Sequence, residues 1–371
     1  MKNAHELQIL REIILRNTEK IKRQDTLALV MYDDIVEKIL KSIEGFGASQ
    51  DVYPKFSSKG YNTHKIEGKN FHEIEKSPSE KRMAFVDGGN LEIISSANFS
   101  LNLIRIAYII YSKNSKQRIK RDIFAFIKSE SENDEIHFKA TFFPSNKFND
   151  LSFSSYDNTI MKGTNRAEIA NVANVIRRFL ELRIAKDVSD NKLADAVILD
   201  GNLQCTFTNE NSYMEELRDS CAKNKIILAA LSKTSSIFTD NGDLLNIFLD
   251  RISIMKEWYY NPIVTIENPS HRAEMFIVKL NSKSRHIFRF EIIDTQKEMA
   301  NEIIANLQTN SIDPIFLGYP YGLVEADRLA RVNNNEKESL KTMFLAKLGS
   351  KNVERYMNSL NAHKILDKIS F

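Results

Sequence analysis

Two aspartates in this chain follow similar apolar runs. Asp87 comes after Ala84-Phe85-Val86, and Asp200 comes after Ala196-Val197-Ile198-Leu199. A glycine follows each aspartate, and the pair Asn-Leu stands shortly after both. An apolar run ending in Asp-Gly is typical of a buried strand followed by a turn, so either motif alone is more simply a turn signal. The repetition favours a functional pair at the ends of two strands, because two adjacent carboxylates can bind a divalent metal ion.

Such a site would suit phosphodiester hydrolysis. This reaction needs a water nucleophile and neutralisation of the charge that develops on the phosphate, and two divalent ions roughly 3.5–4 Å apart supply both. A third carboxylate is then required. Glu181 lies on a predicted helix before Asp200, at the edge of its apolar stripe, and Glu168 on the same helix is a competitor. Either could equally be a glutamate on the helix surface.

The composition is that of an ordinary globular protein. The chain has 371 residues, of which 42% are hydrophobic and 27% charged, with a net charge of +3. This length allows one large or two modest domains, and the mild positive charge permits a local basic groove without requiring one. The only cysteines, Cys205 and Cys221, form no metal-binding pair. Because no apolar run is long enough to span a membrane and the N-terminus does not resemble a signal peptide, we expect a cytoplasmic protein with no membrane segment.

The hydrophobic pattern predicts an α/β protein with parallel strand pairing in its middle. We predict a helical arm over residues 1–45 and an irregular segment over 46–80. A hairpin loop or short helix is expected over the strongly charged stretch 113–135. The other predicted elements are strands over 83–87, 91–97, 103–111, 136–143, 194–200, 226–231, 273–281 and 286–293, and helices over 165–186, 211–223, 295–308, 321–333 and 336–348.

Five segments in a fixed order resemble the NurA family of nucleases. They are Phe85-Val86-Asp87-Gly88-Gly89, Phe179-Leu180-Glu181, Ile198-Leu199-Asp200-Gly201-Asn202-Leu203, Ala230-Leu231-Ser232-Lys233-Thr234-Ser235, and the stretch from Gly318-Tyr319-Pro320-Tyr321 to Asp327 and Ala330. Each segment is weak alone, but together they cover roughly 80–335. The first departs from the family pattern, since it has Asp-Gly-Gly where Asp-Gly-Ser is commoner.

The resemblance implies a ribonuclease H-like mixed sheet flanked by helices. The N-terminal helical arm, predicted from the helical spacing of its apolar residues, has no clear counterpart in the family, and neither has the charged stretch 113–135. The resemblance implies a nuclease domain over 81–335, preceded by residues 1–80 and followed by C-terminal helices over 336–371 that pack on the core. It further implies a DNA hydrolase that requires manganese or magnesium and acts as a 5′–3′ exonuclease and single-strand endonuclease. Such proteins form homodimers and work with a hexameric HerA/FtsK-type ATPase, in DNA end resection or in defence against foreign DNA.

Matching the family residue by residue, Asp87, Glu181 and Asp200 stand at its metal-binding acids, and Lys233 and Tyr319 at further catalytic positions. A lysine near the scissile phosphate would offset oxyanion charge, although a surface lysine at a strand end fits equally. Tyr319 would contact substrate, or pack in the core with its hydroxyl satisfied. Asp327 stands where many relatives have histidine, and an aspartate there can also bind a hard cation.

The residues leave other interpretations open. An actin-like or kinase-like ATPase also places Asp-Gly after paired strands, but the 12 glycines include no evident adenine-pocket motif. A non-catalytic assembly subunit of the ATPase complex would retain the fold without the activity. Arg166, Arg177 and Arg178 flank Glu181 and could hold a DNA backbone, although a solvated helix face is the simpler interpretation.

Overall fold

The computed structural model describes residues 31–40, 51–75, 81–96, 98–112, 115–145 and 148–349. Residues 31–40 are helical and exposed, which agrees with the predicted helical arm. The rest of that arm, and the end of the chain from residue 350, lie outside the described residues. Among the described residues, no helix is long and apolar enough to cross a membrane.

The described residues from 51 onward contain fifteen strands and six α-helices. The strands are β1 Pro54–Lys55, β2 Tyr61–Thr63, β3 Phe71–Glu73, β4 Met83–Ser95, β5 Phe99–Ser112, β6 Ser115–Glu132, β7 Glu135–Phe143, β8 Leu151–Ser154, β9 Ala196–Asp200, β10 Ile227–Ser232, β11 Phe238–Thr239, β12 Trp258–Tyr260, β13 Val264–Ile266, β14 Ala273–Lys279 and β15 Phe288–Ile293. The α-helices are α1 Ile169–Asp190, α2 Glu210–Asn224, α3 Leu245–Ile252, α4 Ala300–Thr309, α5 Tyr321–Ala330 and α6 Asn334–Leu348, and short 3₁₀ turns cover Gly68–Asn70, Asp294–Met299 and Pro314–Phe316.

Eleven of these strands form one sheet in the order β3-β12-β14-β15-β10-β9-β4-β5-β6-β7-β8. Its centre is mixed: β4, β5 and β6 pair antiparallel in sequence order, whereas β9 pairs parallel with both β4 and β10. The parallel pairs are connected through helices α1 and α2, as a parallel connection requires. This confirms the expected ribonuclease H-like mixed sheet flanked by helices.

Apolar helices cover both faces of the sheet. Val172, Ile176 and Leu180 of α1 belong to a buried cluster with Ala84 and Val86 of β4. On the opposite face, Phe85 packs with residues of α4 and α5. Because successive strand residues point to opposite faces, β4 contributes to both cores. The alternation also places Asp87 on the same face as Phe85, toward α5.

The prediction for the charged stretch 113–135 was wrong. Residues 115–132 form the long strand β6, and Asn133 and Asp134 form a tight turn in which both residues have positive φ. The side chains of Ile123, Ala125 and Ile127 alternate into the core. The first half of the strand, residues 115–122, carries most of the basic residues and is exposed or half-buried. The charges concealed a period of two, and the Asn-Asp pair was the hairpin signal.

The prediction of two strands over 83–87 and 91–97 was also wrong, because β4 runs without a break from Met83 to Ser95. Asp87 therefore lies inside a strand, paired with Ala107 of β5. Only Asp200 ends its strand as expected, and Gly201 after it has φ +111°, a left-handed turn. Glycine inside a strand marks a close approach of other groups rather than a turn.

The segment 46–80 was expected to be irregular, but its described part contains strands β1, β2 and β3. These strands pair with β11, β13 and β12, so residues 51–75 are attached to the body of the protein at three places. The remaining predicted strands and helices are found within a few residues of their expected limits. Helix α1, for example, begins at Ile169 and ends at Asp190.

Candidate metal centre

Asp87 and Asp200 come together because their strands are parallel neighbours. Val86 of β4 and Leu199 of β9 are the last registered pair, and each aspartate is the next residue of its strand. Asp87 is 9% exposed, and Asp200 is partly buried. The two carboxylates therefore meet at one edge of the core, where an apolar environment strengthens electrostatic interactions.

A third carboxylate comes from helix α5. Oxygen atoms of Asp87, Asp200 and Asp327 all lie within 4.8 Å of one another. Three carboxylates at this spacing provide the hard oxygen donors that Mg²⁺ and Mn²⁺ prefer. The donor set therefore fits a divalent cation, and its third member is the aspartate that stands where histidine was expected.

Lys233 joins two of these aspartates. Its Nζ lies 2.5 Å from Asp200 Oδ2 and 3.1 Å from Asp327 Oδ1. The residue directly follows β10, the parallel neighbour of β9. Burial alone would lower the pKa of Lys233, but Asp200 and Asp327 raise it above its usual value. The side chain thus supplies a fixed positive charge inside the acidic cluster.

Asp87 is the most perturbed carboxyl of the cluster. Burial raises its pKa to about 8, and the nearby charges of Asp200 and Glu181 act in the same direction. Lys233 and the backbone N–H of Gly88, which donates to Asp87 Oδ1 at 2.8 Å, oppose this shift only in part. A cation bound at the cluster would favour the charged form of Asp87, because it would compensate the neighbouring negative charges.

Tyr319 contacts Asp200 from the core. Its side chain is fully buried, and its hydroxyl donates a hydrogen bond to Asp200 Oδ1 at 3.3 Å. The ring packs against Phe288 and Phe316, with both centroid distances 5.0 Å. Burial and the charges of Asp200 and Asp87 raise the pKa of Tyr319, so this hydroxyl remains protonated and able to donate.

Glu181 lies next to the cluster but outside the set of three aspartates. It is 4% exposed on α1, and its carboxylate would contact a Cβ placed on Gly88. Arg177 forms an ion pair with it, and Arg178 lies 3.7 Å away. Burial raises the pKa of Glu181, although both arginines act against this shift. In this structure its negative charge is directed at the arginines of its own helix.

The arginines considered for DNA contact have internal partners. Arg178 is buried and donates to Glu210 at 2.7 Å, and Arg177 also donates to the carbonyl of Gly88 at 3.1 Å. Arg166 precedes helix α1, and its Nε donates to the Tyr156 hydroxyl at 2.9 Å. Of the three, Arg178 is therefore a structural residue of the core.

Sequence reasoning missed the residues that hold the loop after Asp200. Glu291 of β15 is fully buried and accepts the backbone N–H of Leu203 at 2.8 Å. The hydroxyl of Ser232 donates to the carbonyl of Gly201 at 2.6 Å. A glutamate within the apolar strand Phe288–Ile293 was the available signal, since a buried charge must be paired.

Comparison with known proteins gives one family. The family model described as "NurA domain" matches residues 81–332. Comparison with curated proteins gives no match. Among solved structures, the chain is similar to the NurA nuclease from Sulfolobus solfataricus, with 14% identity, a TM-score of 0.48, and coverage of 76% of this chain and 88% of that one. It is also similar to Endonuclease V of Ciona intestinalis in complex with a 24mer DNA, with 12% identity, a TM-score of 0.36, and coverage of 73% and 92%.

Proposed function

The chain belongs to the NurA family of nucleases, and we propose that it is a deoxyribonuclease whose essential divalent metal is held by Asp87, Asp200 and Asp327. The observation that carries this proposal is the approach of these three carboxylates to within 4.8 Å at one edge of the sheet. Family membership provides the nuclease chemistry and the DNA substrate. The cluster provides the residues of this chain that would perform it.

When bound, Mg²⁺ or Mn²⁺ would activate water and neutralise charge on the phosphate. Two ions are proposed, as in other phosphodiester-cleaving enzymes. The residues of the chain have separate tasks. The three aspartates bind the metal, and Lys233 offsets negative charge that develops on the phosphate oxygens. Tyr319 orients the carboxylate of Asp200 through its hydrogen bond. Glu181 would become a further metal ligand if its carboxylate left the ion pair with Arg177 and bound the cation instead.

We extend the proposal, on family grounds alone, to the activities and partners of this protein. It would act as a 5′–3′ exonuclease and single-strand endonuclease, as a homodimer that works with a hexameric HerA/FtsK-type ATPase. Its setting would be the cytoplasm, in DNA end resection or in defence against foreign DNA. The nuclease domain would cover residues 81–335, preceded by a helical arm and connecting segment over residues 1–80 and followed by helices over 336–371 that pack on the core.

The test is degradation of DNA carrying a label at the 5′ or the 3′ end, in the presence of Mn²⁺ or Mg²⁺ or of a chelator. Wild type is expected to degrade DNA only with metal. Asp87→Asn and Asp200→Asn should abolish cleavage while the protein remains folded. Asp219→Asn, an exposed aspartate of α2, is the matched control and should cut as wild type does.

Two results would decide against the proposal. If Asp87→Asn and Asp200→Asn cleave normally, the acidic cluster is not the active site. If wild type binds DNA but leaves it intact, both alone and with the ATPase, the chain is a non-catalytic subunit. Calorimetric titration with Mn²⁺ is an independent readout, because wild type should bind the ion whereas Asp87→Asn and Asp200→Asn should not.

A further inference from the structure

A second candidate site lies at the same end of the sheet as the acidic cluster. It is a pocket of about 470 Å³ whose wall is formed in part by Lys55, Phe56 and Tyr61. These residues precede the part of the chain that matches the family, which begins at residue 81. The volume falls in the range of about 300–1,000 Å³ that is usual for small-ligand sites.

The other wall comes from the same end of the sheet as the metal cluster. Gln204 follows Asp200 by a short loop, and Ser236 follows Lys233. Arg289, also in the wall, pairs in register with Ser232, the residue before Lys233. A ligand in the pocket would therefore lie at the same end of the sheet as the cluster. It would lie on the other face, because Arg289 alternates with Phe288 and Phe290, which pack on the side of Tyr319. In α/β sheets, ligands commonly bind at the carboxyl ends of the parallel strands.

Two aromatic rings form a fixed platform in this pocket. Phe56 and Tyr61 stack with a centroid distance of 4.8 Å and an angle of 6° between their planes. The hydroxyl of Tyr61 forms a 2.8 Å hydrogen bond with Nδ1 of the buried His271. Residues 54–55 and 61–63 are paired with β11 and β13, so both ends of the wall are anchored. The platform is therefore formed before any ligand arrives.

Positive charge accompanies the platform. Arg289 donates from Nε to Glu291 Oε1 at 2.5 Å and also forms an ion pair with this carboxylate through Nη2. The contact fixes the guanidinium and offsets its charge, and Nη1 remains as the donor for a ligand. Lys55 is exposed, and within the described residues it forms no ion pair. Stacking rings together with positively charged donors are the elements that bind single-stranded nucleic acid, because bases stack on the rings while cations contact the phosphates.

We propose that this pocket binds one nucleotide of a single DNA strand that passes round this end of the sheet from the acidic cluster. The base stacks on the pair formed by Phe56 and Tyr61, and Lys55 and Arg289 contact its phosphate. A base within a duplex is already stacked on its neighbours, so the pocket selects unpaired DNA. This inference rests on the proposed function, since it places the substrate strand of that reaction.

The test is binding of a fluorescently labelled oligothymidine of eight nucleotides to the full chain, measured by anisotropy in EDTA so that no cleavage occurs. Phe56→Ala should weaken binding about tenfold, the loss typical of one stacked base. Phe56→Trp should restore it. Lys55→Ala should weaken binding and reduce its dependence on salt. Phe143→Ala, an exposed phenylalanine of β7 that does not line the pocket, should bind as wild type does, and thermal unfolding checks that each variant is folded.

Three results would overturn the proposal: unchanged affinity of Phe56→Ala, an equal loss in Phe143→Ala, or an equal loss of duplex affinity in Phe56→Ala. Its failure differs from failure of the proposed function. If wild type cleaves DNA and Phe56→Ala binds and cleaves equally, only the pocket assignment fails. If wild type never cleaves but Phe56→Ala loses single-strand affinity, the pocket stands and the nuclease proposal fails.

Discussion

The carbonyl oxygen of Ala330 lies against Gly89 so closely that a Cβ on the glycine would be 2.4 Å from it. The end of α5 thus rests directly on β4, two residues from Asp87. Gly89→Ser would introduce the residue that is commoner in the family. Here it should lower the free energy of unfolding by about 1–3 kcal/mol, the usual cost of overpacking, because backbone must move.

Urea unfolding measures this effect, with Gly68→Ser as its control, since nothing lies within 4 Å of a Cβ at Gly68. The shift of α5 should also move Asp327 and weaken Mn²⁺ binding. Equal stability of the two variants would mean that α5 is not fixed against β4.

Much of the fold could be predicted because local patterns agree with it. The stripe of α1 and the apolar runs of β9 and β10 have clear periods, so helix, strands and parallel pairing followed from them. The strand β6 was missed because the arginines and lysines of its first half conceal the alternation of Ile123, Ala125 and Ile127. A high density of charged residues indicates solvent exposure but does not distinguish a loop from a strand, because a long strand can be exposed at one end.

The candidate site was predictable in part. Its aspartates stand in recognisable segments, but their mutual distances depend on how α5 packs on the sheet. The contact of Lys233 with both Asp200 and Asp327 arises only in the folded chain. The pocket formed with Phe56 and Tyr61 was likewise invisible, because no local pattern shows that this segment pairs with strands about two hundred residues later.

Replacement of Lys233 by methionine separates charge compensation from metal binding. Lys233→Met keeps a long side chain and removes the cation, so the turnover number should fall on the order of a hundredfold, as when one stabilising donor is lost. Mn²⁺ affinity should stay the same or rise, since the ammonium no longer competes for Asp200 and Asp327. Steady-state cleavage and calorimetry measure the two effects, with exposed Lys283→Met as control. A loss of metal affinity equal to that of Asp200→Asn would show that Lys233 instead organises the ligands.

Removal of one hydroxyl tests the role of Tyr319. Tyr319→Phe keeps the ring packed on Phe288 and Phe316, so the free energy of unfolding should change by no more than about 1 kcal/mol. Asp200 loses its hydrogen bond, and metal affinity should fall about tenfold, as is usual for the partner of a ligand. Tyr108→Phe, a buried tyrosine of β5, is the control. If Tyr319→Phe binds metal as tightly as wild type, Tyr319 serves packing alone.

The raised pKa of Asp87 predicts how the stability of the metal-free protein depends on pH. The folded protein holds this proton up to about pH 8, whereas an aspartate in the unfolded chain loses it near its ordinary value of 3.8. Stability from this group is therefore complete below about pH 4, decreases as pH rises toward 8, and then levels off. The slope is at most about 1.4 kcal/mol per pH unit for one proton.

Asp87→Asn removes this titration, because its amide is neutral in both states. The difference in free energy of unfolding, wild type minus Asp87→Asn, should thus decrease between pH 5 and 8 when measured by urea unfolding in EDTA. Asp219→Asn should run parallel to wild type. Saturating Mn²⁺ should flatten the wild-type slope, because the bound cation favours the ionised carboxylate that protons otherwise neutralise. Parallel curves for wild type and Asp87→Asn would mean that Asp87 is ionised throughout, and that Lys233 already compensates its charge.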